Sequence, residues 1–138
     1  MKNVIINADD FGASEGINNA IVDCFKDGIL TSTTAMANMP AFDHAMRLGK
    51  KYNIPTGVHL NLIDGKGLVI KQPLGKKLAL KVIGGIISRR IIEEEFFAQI
   101  EKVDKHVEIT HLDSHQHMAM FPQIRSAMVC AAKEFKIK

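Results

Sequence analysis

Asp9 and Asp10 stand side by side early in the chain, and His111, Asp113 and His115 recur at alternate positions near its far end. Carboxylates and imidazoles move protons near neutral pH and hold divalent cations through oxygen and nitrogen. Two adjacent acids repel, so a fold keeps them together most easily where a cation shares the site. A period of two in an extended segment places His111, Asp113 and His115 on one face. A further histidine, His59, sits in the run Gly57-Val58-His59-Leu60-Asn61-Leu62. One carboxylate and two imidazoles leave coordination positions open for water and substrate, as a catalytic metal site requires. Ligand softness favours zinc, iron, cobalt or manganese over magnesium for such a set. The plainer alternative is an acidic helix cap beside strand histidines that are simply hydrogen-bonded.

The elements that must position these residues are read from pattern. Val4-Ile5-Ile6 is a β-branched run that suits a strand buried on both faces, with Asp9 and Asp10 on the turn that follows. Ser14 can cap a helix whose apolar positions are Ile17, Ala20, Ile21, Cys24 and Phe25, ending near Gly28. Residues 29–38, with Thr31, Ser32, Thr33 and Thr34, read as a second strand. Pro40 opens a second helix with Phe42, Ala45, Met46 and Tyr52 inward. Residues 54–62 form a third strand, with His59 near its carboxyl end. Residues 64–78 hold three glycines, a proline and several lysines, and read as a long exposed loop with Lys66, Lys71, Lys76 and Lys77 solvated. Such loops often act as lids or touch substrate.

Residues 78–87 fit either a helix or a strand by pattern, and a helix is expected. The next helix carries Glu93-Glu94-Glu95 near its start, which suits its dipole, and the stripe Ile92, Phe96, Ile100 and Val103. A fourth strand over 108–113 runs into Ser114-His115-Gln116-His117. Pro122 then opens a last helix with Ile124, Ala127, Met128, Ala131 and Phe135 inward. This β-α-β-α-β-(loop, α, α)-β-α alternation implies a parallel α/β sheet with right-handed crossovers. Asp9, Asp10, His59 and His115 all fall at or just past strand ends, where βα folds bind ligands.

The 138 residues suffice for a single domain with a real core. A formal net charge of +3, no tryptophan, one tyrosine and no basic block interleaved with aromatics argue against a nucleic-acid partner. Cys24 and Cys130 lie on apolar helix positions, which predicts buried reduced thiols, no disulfide and a cytoplasmic setting. An N-terminus that runs straight into a strand is expected to carry no signal peptide. Its most apolar later stretch, 78–87, is broken by Lys81 and Gly84-Gly85 and is too short to span a membrane.

Four motifs occur in order: Asn7-Ala8-Asp9-Asp10-Phe11-Gly12, Gly28-Ile29-Leu30-Thr31-Ser32-Thr33-Thr34, Gly57-Val58-His59-Leu60-Asn61-Leu62 and Thr110-His111-Leu112-Asp113-Ser114-His115-Gln116-His117. The set resembles the YdjC-like carbohydrate deacetylases, the family that includes chitooligosaccharide deacetylase, over nearly the whole chain. The resemblance implies a barrel-like parallel α/β fold and removal of N-acetyl groups from amino sugars by a divalent metal, magnesium on that resemblance. It also implies that Asp10, His59 and His115 hold the metal and that Asp9 is the general base. A bound metal polarises the amide carbonyl and activates water, and Asp9 takes the proton. The leaving amine needs an acid, for which His117, His111 or a residue outside this chain are the candidates.

Asp113 is expected to orient a ligating histidine rather than to ligate. His111, His117 and Asn61 are assigned to support or substrate contact. His44 and His106 are expected to be solvated, and Met118, Met120 and Phe121 to pack locally. The sequence departs from the family pattern His-Val-His-Met-x-Pro, since His117-Met118-Ala119-Met120-Phe121-Pro122 places Ala119 at the second histidine. A complete barrel takes about 250 residues, so four strands make a partial one. Its open edge and core face imply either a longer protein or a homo-oligomer. Alternatives to the deacetylase are another metal-dependent amide or ester hydrolase, or a non-catalytic metal-binding module that self-associates.

Overall fold

The computed structural model describes residues 4–71 and 74–137. In chain order it contains β1 (Asn7–Phe11), α1 (Glu15–Asp27), β2 (Ser32–Ala35), α2 (Phe42–Tyr52), β3 (Thr56–Leu60), α3 (Lys76–Ile83), α4 (Arg89–Asp104), β4 (Ile109–Ser114), a 3-10 segment (His115–Met120) and α5 (Pro122–Glu134). The strands are parallel and adjacent in the order β1-β2-β3-β4. This is a mixed α/β fold with the strand order of a βα barrel, and among the described residues the sheet is open at β1 and β4.

The sheet has two unlike faces because its strands alternate. Ala35, Val58 and Leu60 join the apolar cluster made with Phe42, Ala45, Met46, Phe96, Ile100, Ile124 and Ala127 of the helices. Asn7, Asp9, Ser32, Thr34, His59 and Asp113 form a hydrogen-bonded set on the other face. Gly57 belongs to that second face. A Cβ there would lie 2.6 Å from the His111 carbonyl oxygen and 2.8 Å from its ring, so the imidazole packs where only glycine leaves room.

Helix ends and faces follow local chemistry. Ser14 Oγ accepts the Ile17 N–H at 3.2 Å and caps α1. Asn53, in a left-handed conformation (φ 51°), closes α2 with its N–H on the Gly49 and Lys50 carbonyls. Pro122 opens α5 at its first turn. Phe97 and Phe135 meet edge to face at 5.6 Å, which ties α4 to the end of α5.

Several elements differ from the pattern-based reading. β1 begins at Asn7, and Val4 and Ile5 are 71% and 79% exposed. The sheet does not extend to them, since β2 starts at Ser32 opposite Asn7 and Ile6 is held by the Thr31 side chain and backbone. α1 is rotated: its inward residues are Asn18, Ile21 and Val22, whereas Ile17, Ala20 and Cys24 are exposed. Asn18 sets that rotation, accepting the Gly12 N–H at 2.7 Å and donating to the Ala41 carbonyl at 3.0 Å. Both cysteines are free, Cys24 exposed and Cys130 half-buried, so neither is a buried core thiol. His44 is half-buried against the Asn18 amide at 3.1 Å, and exposed His106 meets Phe42 edge to face at 5.5 Å.

The stretch 64–78 is less solvated than its composition predicts, with Ile70, Leu74 and Leu78 buried; its residues 72 and 73 lie outside the described ones. The loop is anchored by Glu95, fully buried in α4, which accepts the N–H groups of Leu68 (3.0 Å), Val69 (2.7 Å) and Ile70 (2.9 Å). Lys66, Lys71, Lys76 and Lys77 are exposed, as expected. Among the described residues no helix is long and apolar enough to cross a membrane.

Candidate metal centre and base

Neighbours on a regular strand point to opposite faces, so Asp9 and Asp10 need a local device to act together. β1 supplies a bulge. Ala8 pairs with Thr33 but Phe11 pairs with Ala35, leaving one extra residue on β1. Asp10 takes up the excess in a left-handed conformation (φ 65°), which aspartate tolerates better than most residues. Both carboxylates therefore reach the carboxyl rim of the sheet and line one cavity of about 610 Å³. Gly12, at φ 109°, completes the turn where a Cβ would press on the Met36 carbonyl at 3.1 Å.

Two histidines converge on Asp10. His59, buried near the end of β3, places Nε2 at 3.6 Å from Asp10 Oδ1. His115, just past β4, places Nδ1 at 3.2 Å from the same oxygen, and the two ring nitrogens are 3.1 Å apart. Each ring is held from behind by a carboxylate. His59 Nδ1 donates to Asp113 Oδ1 at 2.6 Å, and His115 Nε2 donates to Asp64 Oδ2 at 2.7 Å. With those protons committed, the neutral rings turn lone pairs on Nε2 of His59 and Nδ1 of His115 toward Asp10. Among the described residues Asp10 Oδ1 is buried and accepts no hydrogen bond. Three electron-rich atoms within 4.8 Å of one another, one of them an unpartnered buried oxygen, fit a divalent cation.

The surrounding carboxylates favour positive charge at this point. Burial works against charge on His59, but the hydrogen bond and charge of Asp113, together with Asp9 and Asp10, outweigh it and raise its pKa above the usual 6.5. A second group of atoms, on Asp9, His59 and Asp113, is also close enough to hold a cation. Its members are already engaged, because Asp113 accepts from His59 and from Thr34 Oγ1 at 3.0 Å. Asp9 Oδ1 accepts from Asn7 Nδ2 at 2.9 Å and from Thr34 Oγ1 at 3.4 Å. The Asp10 group is the better cation site.

The remaining residues singled out from the sequence divide by position. His117 is exposed on the cavity wall, in a left-handed backbone (φ 55°) next to Gln116 (φ 48°) that interrupts the 3-10 segment. His111 lies two residues before Asp113, hydrogen-bonded to Thr110 Oγ1 at 2.8 Å, and lines a separate cavity with Val4, Ile5 and Pro55. Asn61 is fully buried and organises the turn after β3 instead of lining the cavity. Ala119 lines the cavity while its N–H donates to Ser114 Oγ at 3.0 Å. Met118 is buried, whereas Met120 and Phe121 are exposed. Sequence reasoning misses Asp64, because it sits in a segment that reads as a solvated loop. The Asn-x-x-Asp spacing just past a strand end is the signal that marks it.

The chain matches the YdjC-like protein family over residues 3–138. It is 37% identical to a carbohydrate deacetylase of Halalkalibacterium halodurans, covering 97% of this chain and 61% of the relative. It is 36% identical to a chitooligosaccharide deacetylase of Yersinia pestis, covering 96% and 56%. Among solved structures, "a putative cellobiose-phosphate cleavage protein" of Enterococcus faecalis superposes with a TM-score of 0.84 at 24% identity, over 96% of this chain and 56% of that one. The chain thus spans about three-fifths of the curated relatives it matches. The match runs from before β1 to the end of α5, and the chain belongs to the YdjC-like protein family.

Proposed function

We propose that this chain carries the metal and base machinery of a carbohydrate N-deacetylase, a hydrolase that cleaves the acetamide of an N-acetylated amino sugar to acetate and free amine. The observation that carries it is Asp10 Oδ1, buried without a donor among the described residues and faced by Nε2 of His59 and Nδ1 of His115. The names of the deacetylase relatives supply the substrate class. In this reading Asp10, His59 and His115 hold the divalent ion, and two imidazoles favour zinc, iron, cobalt or manganese over the magnesium that family resemblance implies. Such an ion, when bound, polarises an amide carbonyl and lowers the pKa of a water beside it.

The chain's own residues do the rest. Asp9, exposed in the same cavity and steadied through Oδ1 by Asn7 and Thr34, accepts the proton of the attacking water. Asp113 keeps the His59 Nδ1 proton committed, so Nε2 stays an electron-pair donor. His117, on the cavity wall, gives the leaving amine its proton; His111, which lines a different cavity, is the weaker candidate. Leu112, Ala119 and Met128 make the wall against which the sugar packs. The unpaired edges of β1 and β4 fit a barrel completed by further strands, from a longer chain or from a second copy.

The test is acetate release from N-acetylated chitooligosaccharides by the metal-loaded protein. Asp9→Asn should lower the rate by about 10²–10⁴-fold, the contribution of a positioned base, with metal affinity kept. A rate unchanged in Asp9→Asn, or a wild type that binds metal and releases no acetate, contradicts the proposal. Turnover of other amides or esters alone would move it to a different hydrolase.

A further inference from the structure

We infer that Asp64 is a positioning residue for the metal centre: an asparagine clamp sets it at the head of the long loop, and its carboxylate fixes His115 with Nδ1 toward Asp10. The inference rests on the metal-centred reading above and adds a residue to it.

The clamp is built from backbone outward. Asn61 Oδ1 accepts the N–H groups of Ile63 (2.8 Å) and Asp64 (3.0 Å), and its Nδ2 donates to the Asp64 carbonyl at 2.8 Å. Asn38 Nδ2 donates to that same carbonyl at 2.8 Å, so both backbone polar groups of Asp64 are engaged. Asn61 is itself pinned to α4: its N–H donates to Gln99 Oε1 at 2.9 Å and its carbonyl accepts Gln99 Nε2 at 2.7 Å. Asn61 and Gln99 are fully buried, so these bonds are poorly replaced by water. A continuous run of hydrogen bonds leads from α4 through Asn61 to Asp64 and ends on His115 Nε2.

The chemical consequence lies at the other ring nitrogen. While Asp64 Oδ2 accepts the Nε2 proton, Nδ1 carries the lone pair, and Nδ1 is the atom 3.2 Å from Asp10 Oδ1 and 3.1 Å from His59 Nε2. Without that acceptor the neutral ring is free to carry its proton on Nδ1, where it donates to Asp10 and closes the coordination point. Asp113 does the same service for His59, but from a strand. Asp64 does it from a loop, with its side chain about half exposed.

The test uses the full chain without metal, in wild-type form and as Asp64→Leu and Asp64→Asn. Nitrogen-15 NMR of the imidazoles at mildly alkaline pH reads the His115 tautomer, and calorimetric titration with zinc reads affinity. Asp64→Leu should move His115 toward the Nδ1–H tautomer and weaken zinc binding by about 10–100-fold, the usual effect of losing a ligand's outer partner. Asp64→Asn keeps an acceptor for Nε2–H, so it should retain the wild-type tautomer and bind zinc better than the leucine variant. A wild-type tautomer with unchanged zinc affinity in Asp64→Leu overturns the inference. If the wild type takes up no zinc, the metal-centred reading fails separately, and the tautomer spectra alone uphold or overturn the Asp64–His115 link.

Discussion

The two faces of the sheet obey opposite rules. On the helix-covered face Ala35, Val58 and Leu60 meet aliphatic and aromatic side chains. On the other face Asn7, Asp9, Ser32, Thr34, His59 and Asp113 bond to one another. The contrast teaches where stability and chemistry reside. Burial of apolar area holds the sheet to its helices. The polar face holds side chains at fixed distances, at the cost of one buried oxygen that no donor among the described residues reaches. Changes on one face should therefore leave the property of the other nearly intact.

The largest expected effect breaks the apolar side. Phe96, fully buried in α4, should cost about 3–5 kcal/mol when replaced by alanine, as a cavity opens under the sheet. Urea unfolding measures the loss, and the protein that remains folded should bind zinc as the wild type does. Glu95→Ala tests the seam between the faces and the loop. It strips the acceptor from Leu68, Val69 and Ile70, and should destabilise by about 1–3 kcal/mol with faster amide exchange at those three residues. Glu95→Gln, which keeps an acceptor oxygen, should cost less.

Asp10→Asn sharpens the comparison from the chemical side. It removes charge from the unpartnered oxygen, so stability should stay within about 1 kcal/mol of wild type while metal uptake is lost. The smallest effect belongs to a residue on neither face. Cys24→Ser, on the exposed side of α1, should change stability by less than about 0.5 kcal/mol, and the wild-type thiol should react with a thiol reagent in the folded protein.

Much of the frame is legible in the sequence because it follows from periodicity. The stripe Ile92, Phe96, Ile100 and Val103 is buried in α4, and Pro122 opens α5 over Ile124, Ala127 and Ala131. The placement of Asp10, His59 and His115 at strand ends is legible for the same reason. The misreadings arise where a polar group outweighs the apolar pattern. Buried Asn18 turns α1 so that Val22 joins Ile21 on the inward side and Cys24 faces solvent. Buried Glu95 folds a lysine-rich loop onto the core, so composition overstates its exposure. The β1 bulge cannot be read from residue types alone, since it depends on pairing with β2. Asp64 escapes a sequence reading because its role exists only once Asn61 and Asn38 have closed the turn around it.

The central claim is that Asp10, His59 and His115 form one cation site, and zinc binding to the metal-free protein tests it most directly. Wild type and His115→Ala would be titrated side by side. The account predicts close to one ion per wild-type chain and at least a hundredfold, or about 2.7 kcal/mol, weaker binding in the variant. A wild type that takes up no zinc, or a variant that binds it equally well, would contradict the account.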